Sequence, residues 1–315
     1  MKIDTSLTKI SETVDAIKEE VVEEKSKPFT GQSMFEDSKG KSAIFLPNGG
    51  TFGLNIADGS IRLSFAQNVS TSPIFLGLDV SGKTNDGVLS LISKGNISPG
   101  AKVNGVIGVK ELFRKSDIFD GWIALKAGYE GSAFKLYNPD SAFSKQITKT
   151  TFNSFVTSLS FNLKIHGNKL LAVSVGYQKS NNYSDLDDIE LIDKKIITDS
   201  ATNTTRTYET KTKAKVGDYK AFQQIPINLD YFWTPKNLPR IGFYHYWRNA
   251  YSIEDKKFTN GFGTGIYLLK KNHPLSSIAG VVFEVKDITK LSENYGKGFV
   301  VNIVASYNFG FTKRK

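Results

Sequence analysis

From residue 155 the chain alternates apolar and polar positions almost without interruption: FVTSLSFNLKIHGNKLLAVSVGYQ. Phe155, Thr157, Leu159, Phe161, Leu163 and Ile165 share one side of an extended strand. Val156, Ser158, Ser160, Asn162, Lys164 and His166 share the other, because successive strand side chains point to opposite faces. After Gly167-Asn168 the alternation resumes with Leu171, Val173, Val175 and Tyr177, which predicts a tight hairpin with one apolar and one polar face. The same period of two runs through most of the chain beyond residue 43. It predicts strands near 52–57, 60–67, 73–81, 87–94, 101–110, 120–130, 131–137, 152–166, 168–179, 219–234, 239–251, 261–271, 277–288 and 298–311. That reading gives fourteen strands, with twelve as the alternative, since the first two are short and the pair around Gly131 is closely spaced.

The connections carry their own pattern. Long segments at 111–119, 138–151 and 180–218 alternate with tight ones at Gly131, at Gly167-Asn168 and at 235–238. Long loops at one end and tight turns at the other suit an up-and-down membrane barrel better than a Greek-key sandwich, and an even strand count puts both termini at the tight-turn end. Aromatic residues gather at strand ends on the apolar face, among them Tyr129, Tyr177, Tyr231, Trp233, Phe309 and Phe311, as at a lipid–water boundary. Pro226 within a strand lacks a ladder donor and predicts a bulge. The expected fold is therefore all-β: a closed antiparallel transmembrane barrel over 43–311, followed by a basic tail at 312–315. A soluble barrel with a filled core would alternate in the same way and stays open as an alternative.

Before the strands the period changes. Ile3, Leu7, Ile10, Val14, Ile17 and Val21 are spaced by fours and threes, which predicts an amphipathic coiled-coil-type helix over 1–25. This seam is the candidate for homo-oligomerisation or for a helical protein partner. The alternative is a helix docked on its own domain or plugging the lumen. Residues 26–42, SKPFTGQSMFEDSKGKS, read as a linker. No basic-apolar-small signal pattern opens the sequence. An outer-membrane location is thus set against an inner-membrane one reached from the cytoplasm.

Composition removes several classes. Of 315 residues 39% are hydrophobic and 12% aromatic, too many for general disorder, and a mean hydropathy of −0.26 is compatible with half-apolar barrel strands. No apolar run approaches the length of a membrane-crossing helix. With no cysteine there is neither a disulfide nor a thiolate site. The net charge of +10 is spread along the strands, and no nucleic-acid motif accompanies it, so the expected partner is a lipid bilayer.

The closing segment GFVVNIVASYNFGF is similar to the last strand of bacterial outer-membrane barrel proteins. PIFLGLDVSGKTNDGVLSLISKGNISPGAKVNGVIG resembles barrel proteins of the Bacteroidetes type. The resemblance covers roughly 43–311 and implies a porin-like outer-membrane barrel whose last strand is read by an assembly machine.

Candidate chemistry is sparse. His166, His245 and His273 have no metal-ligand spacing, GFGTG at 261–265 lacks the strand–loop–helix setting of a phosphate loop, and no nucleophile-elbow sequence is present. Asp185, Asp187, Asp188 and Glu190 read as a solvated loop face rather than a calcium site. No enzyme activity, cofactor or metal is expected. The pore-lining candidates are Arg62, Asp79, Lys94, Lys102, Lys110, Lys126, Glu130, Lys135, Lys164, His166, Asp230, Glu284 and Lys286. Two readings of them stay open: cations in excess give a small-solute pore with anion preference, or the charges pair across a narrow, plugged lumen. Beside the pore stand two other functions, a signal-less effector that permeabilises the inner membrane and a soluble ligand-binding barrel.

Overall fold

Alternation of β-branched and aromatic residues with small polar ones produces long antiparallel strands, seen in a computed structural model. It describes residues 35, 41–47, 49–55, 60–69, 72–85, 88–89, 92–93, 96–97, 100–113, 116, 118–166, 168–199, 201–270, 273–288 and 299–309. The expected helix at 1–25, most of the linker, the tail at 312–315 and Lys94 lie outside these residues. The long strands are β1 (Gly49–Asn55), β2 (Ser60–Asn68), β3 (Ile74–Asn85), β4 (Lys102–Val109), β5 (Phe119–Tyr137), β6 (Ile147–Ile165), β7 (Lys169–Asn181), β8 (Asp187–Thr198), β9 (Thr205–Val216), β10 (Ala221–Trp233), β11 (Ile241–Ser252), β12 (Lys257–Lys270), β13 (His273–Val285) and β14 (Phe299–Phe309).

Twelve of them close a barrel: β1 to β7 and β10 to β14, each hydrogen-bonded antiparallel to its neighbours. The seam is the pairing of first and last strands, with Gly50 opposite Phe309 and Gly53 opposite Ser306. The other two strands, β8 and β9, form a hairpin outside the wall, where the sequence reading placed an unstructured 180–218 loop. β9 meets the barrel only through a parallel contact of Lys215 and Val216 with Leu136 and Tyr137 of β5.

The fourteen-stranded reading fails in two places. Gly131 does not divide its segment: it sits inside β5 opposite Asn153, and the strand runs on to Tyr137. Of the expected strand at 87–94, the described residues are the short pieces Val88–Leu89 and Ile92–Ser93, and neither belongs to the barrel ladder. With β5 unbroken, the connection at 110–118 shares an end with 69–73, 166–168, 234–240 and 271–272, and with the start of β1 and the end of β14. We call this the turn end. At the opposite, loop end stand the end of β1 and start of β2, the end of β3 and start of β4, the 138–146 connection, the β8–β9 hairpin, the 253–256 turn and the end of β13. The start of β1 and the end of β14 lie together at the turn end, and 111–119, read as a long loop, joins them there.

β5 and β6 overshoot their neighbours, pairing on from Gly131–Asn153 to Tyr137–Ile147 as a projection from the loop end. Its base packs Phe134 on Tyr183 at 4.2 Å between ring centroids. At the tip of the β8–β9 hairpin the Ala201 N–H donates to Asp199 at 2.8 Å and holds that carboxyl below the usual carboxylate range. Pro226 makes no bulge. The register is the same on either side of it, Val175 with Ile227 and Gln178 with Gln224, so the missing donor only interrupts the ladder. The irregularity falls instead in β12, between Leu268 and Lys270 against β13.

Candidate functional site

The two faces of the wall differ throughout. Outward positions are apolar and exposed: Leu63, Leu76, Ile107, Leu125, Leu159, Val175, Leu229, Ile266, Val281 and Ile303 carry the belt around the barrel. A continuous apolar belt is far larger than the patches soluble monomers tolerate. Trp233 and Phe243 stack at the turn end of this belt, and Tyr129 and Tyr177 stand toward the loop end.

Inward positions divide by height. In the part nearer the loop end, Asp79 of β3 is the centre of a charged group. Arg62 of β2 grips it with two N–H donors, at 2.5 and 2.8 Å, and the Lys126 ammonium of β5 lies 3.8 Å away. The Asn104 amide faces the same carboxylate at 3.5 Å. Lys102 and Glu130, register partners on β4 and β5, pair at 3.2 Å. Nearby, the Tyr246 hydroxyl of β11 donates to Glu284 of β13 at 2.8 Å.

Toward the turn end the interior is a hydrophobic core. Trp122, Phe75, Leu170, Phe232, Tyr244, Tyr267 and Leu269 are buried there, and the chain itself fills the space between them: Phe35 and residues 43–46 belong to the same buried cluster. The Phe35 ring lies 4.2 Å from Phe232 and edge-on to Tyr267 at 5.1 Å, and Phe45 stacks on Phe75 at 6.2 Å. Glycines make room for the large rings. A Cβ on Gly263 would stand 2.1 Å from the Tyr246 ring, and one on Gly242 2.3 Å from that of Phe232. Within the GFGTG run, Gly263 and Gly265 therefore seat the rings of Tyr246 and Tyr267.

Side chains of the wall hold the backbone of 41–46. The Asp230 carboxylate of β10, fully buried, accepts the N–H groups of Ala43 and Ile44 at 2.6 and 3.3 Å and the Ser42 hydroxyl at 3.2 Å. Its other oxygen takes Arg248 of β11. Arg248 also donates to the Lys41 carbonyl and to the Tyr244 hydroxyl, at 3.2 and 3.0 Å, and Tyr244 passes a hydrogen bond on to the Phe35 carbonyl at 3.2 Å. Asn162 of β6 accepts the Phe45 N–H at 3.2 Å, while the Trp122 indole of β5 donates to the Phe45 carbonyl at 2.5 Å. Beside the segment lies a cavity of about 10 Å³, lined by Ile44, Lys126, Ser160 and Ser174 among others. That is room for one water.

Of the candidates read from the sequence, the wall brings Arg62, Asp79, Lys102, Lys126, Glu130, Lys164, Asp230 and Glu284 to its inner face. Four others stand elsewhere. Lys135 is exposed on the β5 projection, on the face that continues the outer one. His166 is exposed in the β6–β7 turn with a φ of 50°, and the turn rather than the strand pattern sets its direction. Lys286 is exposed just past the end of β13, and Lys110 pairs with Glu111 at 3.5 Å beyond the end of β4. Arg248, Trp122 and Asn162 were missed as site residues. Arg248 does fall on the polar period of its strand, which was the signal available. Asp188 pairs with Lys215 at 3.2 Å, and among the described residues no group of three His, Cys, Asp or Glu could hold a metal.

An apolar outside, a polar and charged inside and a closed antiparallel ladder define a membrane-spanning β-barrel. No family model matches the chain, and no curated protein matches it. Similar solved structures include a NanC porin, 6% identical with a TM-score of 0.38 over 84% of this chain and 99% of its own. Others are a KdgM porin, 9% identical with a TM-score of 0.34 over 84% and 99%, and a CymD monoaromatic hydrocarbon channel, 11% identical with a TM-score of 0.32 over 81% and 74%.

Proposed function

We propose that this chain is a bacterial outer-membrane channel for small hydrophilic solutes. The observation that carries the reading is the polar inner face enclosed by a continuous apolar belt, since only an aqueous path gives such a face a solvent. The same belt stands against a soluble ligand-binding barrel. Selectivity is weak in this proposal. Arg62 and Lys126 face Asp79, Lys102 faces Glu130 and Arg248 faces Asp230, so the cations that suggested an anion preference are largely balanced. The heptad seam from Ile3 to Val21 supports a further proposal, a homo-oligomeric or helical-partner contact close to the turn end, where Phe35 is seated.

In planar bilayers, protein whose interior segment has been released should give discrete conductance steps with a reversal potential near zero in a salt gradient. The absence of steps at every voltage, in variants with the interior segment released as well, would rule out the channel. Fractionation decides between membranes: enrichment with the outer membrane is expected, whereas depolarisation of cells expressing the chain in the cytoplasm would favour the effector reading. Cross-linking of a Leu7→Asp/Val14→Asp variant should show loss of the helical contact.

A further inference from the structure

The wall holds the main chain of residues 41–46 by hydrogen bonds from several strands. Asp230 takes two successive N–H groups, Asn162 takes a third, and Trp122 and Arg248 donate to the carbonyls of Phe45 and Lys41. The side chains add the Ser42 hydroxyl bond to Asp230, the Phe45 ring against Phe75, and the burial of Ala43, Ile44 and Leu46 in the hydrophobic cluster. Three consecutive amides met by acceptors, with carbonyls before and after them met by donors, and a bend at Ala43 that turns two N–H groups onto one carboxylate oxygen, are what a pocket for a short bent peptide supplies. The pocket comes from four strands of the closed wall, β5, β6, β10 and β11.

We propose that this inner wall is a binding site for a short bent peptide and that residues 41–46 are its built-in occupant. The segment is tethered to β1 at the turn end, so it can leave in that direction without opening the barrel. With the segment seated the interior is closed, and with it released the charged part of the lumen connects through to the turn end. The inference rests on the channel reading only for that last consequence.

The chain has no cysteine, so one engineered thiol reports on the site without interference. Ser174, buried, lines the small cavity beside residues 42–45. In full-length protein carrying Ser174→Cys, a water-soluble maleimide should react slowly. Adding Ala43→Pro and Phe45→Pro removes two of the amide donors without touching the wall, and labelling should accelerate about tenfold or more, since a hydrogen bond to a charged acceptor is worth about one decade. An excess of the synthetic peptide KSAIFLP, residues 41–47, should slow labelling again, and the same peptide with the two prolines should not. Phe35→Ala with Phe45→Ala, which keeps every amide, gives an independent release through the apolar contacts. Equal labelling with and without the substitutions, or no protection by the native peptide, would overturn the site. Conductance of the same proteins separates the two readings: unchanged silence alongside restored protection refutes the channel and leaves the peptide site standing.

Discussion

The two parts of the interior solve one problem in opposite ways. Near the loop end, ionised groups are enclosed by the wall and neutralise one another, as Arg62 and Lys126 do around Asp79. Near the turn end, the wall has few charges of its own and is closed by aromatic rings and by a piece of main chain, whose polar atoms are met by Asp230, Asn162 and Trp122. The first arrangement keeps polar groups available to water. The second removes water and then has to supply each buried amide with a partner. A barrel can thus hold a pore lining and a protein core in series, and the boundary lies where Arg248 reaches from one to the other to meet Asp230.

The largest effect should come from breaking that boundary. Asp230→Leu strands Arg248 and two amides, and should cost about 3–5 kcal/mol in melting of the detergent-solubilised protein. Combining it with Arg248→Met should recover most of the loss. An unchanged melting point in the single variant would mean that the turn end is not a core. Gly263→Val forces Tyr246 from its seat and should cost about 1–3 kcal/mol, whereas Gly105→Ala, on the outer face with its nearest contact at 3.9 Å, should be close to neutral by the same measurement. Asp79→Asn removes the negative centre of the other part. It should leave the melting point within about 1–2 kcal/mol equivalent and move the reversal potential of released channels toward anions. A reversal potential that stays in place would show that the charged part does not line the conducting path. Smallest is Lys194→Ala, which deletes an exposed pair with Glu209 and should change stability by less than about 1 kcal/mol.

Much of this was legible in the alternation. Leu159 and Leu229 outside, and Ser160 and Asp230 inside, follow from a period of two once the strand is granted. The pattern says less about where strands stop. Gly131 reads as a turn but is an ordinary ladder position opposite Asn153, because a glycine within a strand costs little when both neighbours pair. The β8–β9 hairpin was read as loop because neither DDIELIDKKIIT nor TRTYETKTKAKV has a face that is apolar throughout, and most of both strands is exposed. Residues 41–46 were hardest. SAIFL has neither a helical nor an alternating signature, being too short for either, and its burial depends on wall residues more than a hundred positions away. A linker reading of 26–42 and a barrel beginning at 43 could not have placed it inside.

The seam between β1 and β14 has a consequence for assembly. Gly50 cannot meet Phe309 until the last strand has been made, so the ring stays open along that line while the other strands pair. The segment 41–46 precedes β1 by only a few residues and travels with the edge that closes last. It is enclosed as the ring shuts and need not be threaded through a finished opening. Closure of the cylinder and capture of its first occupant are then a single kinetic event.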